Sequence, residues 1–331
     1  MINYFFQRLF FLIPTFIGIT LITFIIVHFV PGDPAVLAIR KGMSNDSLRD
    51  PLTAEIIEQN RKLFGLDKPI HIQYFLWFKR LLLFDFGNSY KDNQPVIKKI
   101  KERLPVTLQL NIISIFLIYL FSIPLGVFNA VKYNSLSDKL ITLFLFMLYS
   151  LPTFWVATML ILYLGGGDYL NLFPIYGLSS EGAENLNFFN WLIDRLWHLV
   201  LPVFCLTYGG FAYLSRYVKS NILEVLKLDF IRTARAKGLP EKFVIFKHTL
   251  KNSLIPVIVL VANIFPALFG GSVIIEQIFS INGLGKLSFD AILARDYPVI
   301  MAMASISAFL TLIGILISDF LMVLIDPRIK F

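Results

Sequence analysis

Apolar residues recur along this chain in blocks of about twenty, separated by polar segments of very unequal length. The first block, 9–30, and the last, 300–325, each carry at most one charge. At 1.5 Å per residue, such a run crosses the ~30 Å hydrocarbon layer of a bilayer as one helix. Four further blocks, 106–128, 140–164, 196–217 and 253–275, bring the number to six. The pattern predicts an all-α, polytopic membrane protein with six transmembrane helices, and it excludes a soluble chain of one or two domains.

The polar segments have periodicity of their own. Residues 31–105 form an insertion too long for a turn, so the chain divides into 1–30, 31–105 and a five-span core, 106–331. Within the insertion, Thr53 is placed to cap a helix through Phe64 ending at Gly65. Pro69 opens another with Ile70, Tyr74, Trp77, Phe78 and Leu81 on one face. The segment 228–257 spans most of a loop at about 218–252 and runs into the fifth block. There Asp229 caps a short helix over 230–237, Gly238 ends it with positive φ, and Pro240 starts a second helix. The fifth block is interrupted by Pro256, Asn263, Pro266, Gly270 and Gly271, which predicts a bent, flexible helix and a candidate pathway lining. In the sixth, Ala304, Ser307, Thr311, Gly314 and Ser318 form a stripe of small residues suited to close helix packing, with a pore lining as the alternative. Asp319 near its end is either a paired structural acid or a functional one.

Charge sets the orientation. The connection 129–139 has two bases and one acid, and 216–251 has nine and three; 165–195 has one base and four acids, and 277–299 has two of each. Short base-rich loops face the cytoplasm, so the 216–251 loop and both termini are expected inside, with 31–105 and 165–195 outside. The net charge of +8 then reflects topology and anionic lipid rather than nucleic acid. The first block, preceded by Arg8, is longer than a signal-peptide core and lacks a small-residue cleavage site, so it reads as an uncleaved span. Cys205 is the single cysteine and excludes an intrachain disulfide.

Catalytic patterns are missing. The nearest approach to a phosphate loop, SINGLGKLS at 280–288, has Leu287 after Lys286 and Ser280 where a glycine is required. The histidines His28, His71, His198 and His248 lack metal-ligand spacing, and no nucleophile elbow occurs. The span interiors carry almost no ionisable groups, which disfavours an ion-coupled carrier. A channel or scaffold, and a subunit driven by another chain, remain; the second fits the cationic helix–glycine–helix better.

Particular motifs carry a resemblance. TARAKGL at 233–239 followed by HTLKNSLIPV at 248–257 resembles the ATPase-coupling loop of ABC importer permeases of the peptide and nickel type. PGDP at 31–34, FGLDKPIHIQY at 64–74, FDFGNS at 84–89, ERLPVTLQL at 102–110, IFSINGLGKL at 278–287, RDYPV at 295–299 and DPRIKF at 326–331 are similar to the first permease subunit of that family, in order. GGGDYLNLFPIYGL at 165–178 and the FSINGLG variant look like the subgroup that imports oligopeptides and microcin C-type antibiotics. Asn282 stands where many members have proline, and Ile315 where many have asparagine.

The resemblance implies a type I importer permease fold in the bacterial cytoplasmic membrane. It further implies a heterodimer with a second permease, two cytoplasmic ATPase subunits that use ATP and Mg, and an extracytoplasmic solute-binding protein. This chain would bind no cofactor and no metal. Coupling falls to Asp229, Arg232, Thr233, Ala234, Arg235, Ala236, Lys237, Gly238 and Leu239. In that reading the two alanines permit close helix contact and the three bases meet acids of a partner. A nickel or metal-chelate importer is the alternative within the class, and an ATP-independent channel or scaffold the alternative outside it.

Overall fold

The computed structural model describes residues 2–29, 55–56, 58–59, 61–62, 67–165 and 169–325. The helix expected from Thr53, the PGDP stretch and the terminal DPRIKF lie outside the described residues. Helix α1 (Ile2–Phe29) is the first apolar block. Helix α2 (Ile70–Leu82) opens after Pro69 as its sequence predicts. Its Tyr74 and Trp77 rings lie 5.3 and 5.9 Å from the Phe24 ring of α1, and Phe78 lies 6.5 Å from Phe16. Ile70, expected on that face, is exposed. The two helices run antiparallel, since Gln73 meets His28 while Phe78 meets Phe16, and Ile70 therefore projects past the end of α1.

Helix α3 (Val96–Val131) is 36 residues long, about 54 Å, so it carries the last ten residues of the 31–105 segment into the same helix as the second span. Helices α4 (Leu136–Ser150) and α5 (Thr153–Leu160, continued by a wide turn Ile161–Gly165) correct the expectation of one continuous span over 140–164. They meet at 92°. Pro152 is the cause: a residue before proline avoids the helical region, and both Leu151 and Pro152 are extended. The Leu151 carbonyl freed at the corner accepts from Tyr208 Oη at 2.7 Å.

Helix α6 (Phe188–Val225) follows, then α7 (Asp229–Ala236) and α8 (Glu241–Val259), which includes a wide turn at Val244–Thr249. A tight turn, Leu260–Asn263, leads to α9 (Ile264–Gly270) and α10 (Val273–Ile278), so the fifth span is bent by 49° where its proline and asparagine interruptions fall. Helix α11 (Leu284–Ala294) and the long α12 (Tyr297–Ile325) complete the chain. Among the described residues, α1, α3, α6 and α12 are each long and apolar enough to cross a bilayer, and counting each of the two bent pairs as one span gives six.

Helices α3 and α6 pack along much of their length, with Leu110, Leu199, Val203 and Tyr208 in one buried cluster. The small-residue stripe of α12 acts in packing at Gly314 and Ser318. A Cβ at Gly314 would come within 2.2 Å of the Ala262 carbonyl oxygen, so only glycine admits the fifth span at that distance. Ser318 Oγ lies 3.5 Å from the carbonyls of Ile258 and Val259. Asp319 is a structural acid here, in charge contact with Arg8 of α1 at 3.3 Å. Replacing Gly314 with valine forces the two backbones apart, which costs about 1–3 kcal/mol for an overpacked site. Gly314→Val should lower the thermal midpoint of the purified protein, whereas Ile315→Val, on the exposed side of the same turn, should leave it unchanged. Equal midpoints for both would show that the contact is not close-packed.

Candidate functional site: a helix–glycine–helix junction and the buried polar locks

Helix α7 begins one residue earlier than its sequence suggests. Leu228, with extended backbone, is the capping position, no side chain caps the helix, and Asp229 is its first residue. There its carboxylate complements the positive end of the helix and meets Arg232 at 3.3 Å. Thr233 Oγ1 donates to the Asp229 carbonyl at 3.0 Å. Ile231 and Ala234 turn inward, 0% and 7% exposed, onto Val244 of α8, with Val225, Leu226 and Leu239 packed around them. Ala234 therefore serves contact within the chain rather than with a partner. Ile231, its neighbour at helical spacing, was not among the residues singled out, although that pair of apolar positions in an otherwise polar helix marks the buried face.

The helix ends in a Schellman turn. Gly238, at φ +74°, donates its N–H to the Arg235 carbonyl at 2.9 Å, and Leu239 donates to Ala234 at 3.4 Å. The Leu239 side chain then closes over Ala234, the apolar contact that accompanies this motif. Across the turn, Arg235 Nη2 and Nε donate to Glu241 Oε1 and Oε2 at 2.5 and 3.1 Å. Arg232 and Arg235, expected to await acids elsewhere, thus each have an acid of this chain. The Arg235–Glu241 fork holds α7 against the start of α8. Arg232, Thr233, Arg235, Ala236, Lys237 and Gly238 form the exposed surface of the junction.

At the other end of the fifth span, four motifs far apart in sequence converge on two buried carboxylates. Asp296, 1% exposed, accepts from the Ser89 hydroxyl and from the Tyr90 N–H at 2.9 Å. Lys99 Nζ donates to Ser89 Oγ at 2.9 Å and to Asp92 at 2.8 Å. Partial burial raises the pKa of Asp92, and its hydrogen bonds with Lys99 and Ser89 outweigh that, leaving it below its ordinary value. The second carboxylate, Glu276, is also 1% exposed. It accepts from Lys286 N at 2.7 Å, from Thr107 Oγ1 at 3.3 Å and from Ser272 N at 3.4 Å. Thr107 Oγ1 in turn accepts from Leu284 N at 2.7 Å.

This arrangement explains the phosphate-loop look-alike. The first N–H groups of α11 could bind an anion, and the chain's own carboxylate already takes that place. A Cβ at Gly283 would stand 2.6 Å from the Glu276 carboxylate. Gly271, at φ +64°, borders the same cluster, with a Cβ there reaching 2.5 Å from Glu276 Oε1. Of the other residues expected to bend the fifth span, Pro256 lies at the start of the last helical stretch of α8, Ile255–Val259, Asn263 ends the tight turn, Pro266 lies inside α9, and Gly270 ends it. Asn111 of α3, not anticipated, donates Nδ2 to the Ala267 carbonyl at 2.8 Å and stitches the break. An amide in the middle of an apolar span was its signal.

The geometry is that of a polytopic α-helical membrane protein with broken spans, polar locks at one end of the fifth span and a helix–glycine–helix at the other. The sequence profile described as "binding-protein-dependent transport system inner membrane component" matches residues 122–331, and the corresponding N-terminal profile matches 1–111. The chain belongs to this family. It is 41% identical, over 100% of both chains, to the oligopeptide transport system permease protein AppB of Bacillus subtilis. Over 100% of both chains it is 36% identical to the dipeptide transport system permease protein DppB of Lactococcus lactis. It is also 36% identical to the inner membrane ABC transporter permease protein YejB of Escherichia coli, over 99% of this chain and 98% of that one. In fold it is similar to the inward-facing MetNI methionine ABC transporter, with TM-score 0.50 and 14% identity over 70% of this chain and 97% of that one.

The Thr107–Glu276 lock gives a test. Thr107→Val leaves the buried Leu284 N–H without its partner and takes one of the donors from Glu276 Oε1, at a cost of about 1–3 kcal/mol. The variant should show a lowered thermal midpoint, and Thr107→Ser, which keeps the hydroxyl, should recover most of it. A valine variant as stable as the parent would remove the lock from the fold's energetics.

Proposed function

We propose that this chain forms half of the membrane pathway of an ABC importer for peptides, alongside a second permease, with a solute-binding protein outside and two ATPases inside that consume ATP and Mg. The observation that carries the reading is the full-length likeness to permeases named for oligopeptide and dipeptide transport. The junction 229–239 is the part gripped by an ATPase. Its inner face is fixed by Ile231, Ala234 and Leu239, and its outer face offers Thr233, Ala236 and Lys237 beside the paired arginines. A rigid, short amphipathic helix is what transmits a push; a flexible loop would absorb it. In this reading the base-rich loops and both termini are cytoplasmic. The segment 31–105 is an outer insertion on a five-span core, 106–331. The bend at Pro256, Asn263, Pro266, Gly270 and Gly271 lines the moving part of the pathway.

The test combines transport with one substitution. Membrane vesicles containing the chain and its partner subunits should accumulate peptide only with ATP, and nickel should not compete for uptake. Gly238→Val forces a β-branched residue into positive φ at a cost of about 1–3 kcal/mol, in a place where no neighbouring atom lies within 4 Å of the added Cβ. It should therefore keep normal membrane abundance while losing most uptake and ATPase co-purification. Uptake without ATP would replace the importer reading with a channel. Normal uptake by the glycine variant would take the junction out of the coupling mechanism.

A further inference from the structure

Towards the end of α6 that leads into α7, an open cavity of about 270 Å³ lies between α6, α4 and the turn before α4, lined by Tyr133, Thr142, Arg216, Lys219, Ser220 and Leu223. Its two cations are in different states. Lys219 Nζ donates to Asp138 Oδ1 at 2.6 Å, and Asp138 also accepts from the Asn134 N–H at 3.1 Å, so this lysine is neutralised within the chain. Arg216 has no acid or carbonyl acceptor among the described residues; its guanidinium carbon lies 3.7 Å from the centre of the Phe146 ring. Stacking covers one face of the guanidinium and leaves open its N–H edge, the part that forks onto two oxygens of a phosphate. Ser220, one helical turn beyond, brings an exposed hydroxyl to the same side.

The surroundings fit a lipid. Phe146 of α4, one turn beyond Thr142, and Tyr213 of α6, one turn before Arg216, are exposed on the cavity side and offer apolar surface to an acyl chain. Basic pockets between membrane helices near the surface hold anionic headgroups. We propose that this cavity binds the phosphate of an anionic membrane lipid, gripped by Arg216 and Ser220, with an acyl chain against Phe146 and Tyr213. The site would fasten the α4–α6 corner close to the junction that begins at Asp229. The proposal is independent of which solute the transporter carries.

The test uses the intact complex purified in mild detergent and examined by native mass spectrometry with added phosphatidylglycerol or phosphatidylcholine. Arg216→Gln should lose about one tightly held phosphatidylglycerol per chain, with affinity lowered roughly tenfold, and Arg216→Lys should retain part of it. Phosphatidylcholine should bind equally to all three proteins. Unchanged phosphatidylglycerol retention in the glutamine variant overturns the site. Should that variant fail to assemble, Ser220→Glu, which leaves the arginine stack in place and adds a repelling charge at an exposed position, must lower retention, and no change there also overturns it. Millimolar inorganic phosphate that displaces the lipid would reassign the cavity to a free anion.

Discussion

A helix that breaks inside a bilayer frees N–H and C=O groups that water cannot reach, and each must find a partner in the protein. The fifth span breaks more than once, and the rest of the structure is arranged around meeting that demand. Asn111 of α3 takes the carbonyls freed near Ala267, and Glu276 takes the Ser272 and Lys286 N–H groups where the chain turns back. Gly314 lets α12 lie against the tight turn at Ala262. The same constraint acts at the corner between α4 and α5, where Tyr208 receives the Leu151 carbonyl. Satisfaction of these groups by fixed side chains makes the breaks stable shapes rather than points of disorder.

These contacts give the fifth span two anchored ends. At one end, α10 and α11 are tied to α3 through Thr107, and α12 begins beside Asp296, which is tied to the loop at Ser89. At the other, α7 is packed onto α8 through Ile231 and Val244 and braced by Arg235 and Glu241. Between them lies the bend. Movement imposed on α7 is carried into α8 as a unit, because the Schellman turn and the fork leave little freedom at the joint. The Leu260–Asn263 turn in that bend is wound more tightly than the helices on either side of it.

Much of this was legible in the residues. Six apolar blocks gave the span count, Pro69 gave the start of α2, and Gly238 gave the positive φ at the end of α7, because each rests on a local rule with few competitors. The corner at Pro152 was missed, since apolar character continues unbroken across it and only the restriction on the residue before proline betrays it. Asp229 was read as a cap because its side chain suits one; the backbone instead begins the helix at Asp229. The bases of α7 were read as free because sequence shows sign and not distance, whereas the turn brings Glu241 within reach of Arg235. The convergence of Ser89 with Asp296 and of Thr107 with Glu276 was invisible locally. Separations of 207 and 169 residues are closed only by the fold.

The division of α7 into a buried and an offered face can be measured directly. Single cysteines placed from 229 to 239, in a chain lacking Cys205 and co-assembled with its partner subunits, would be probed with a short thiol-directed photocrosslinker. Crosslinks to the ATPase should concentrate at 232, 233 and 236 and be minimal at 231 and 234, following the helical period. Crosslinking that is uniform along the segment, or strongest at 231 and 234, would contradict a docked and oriented helix.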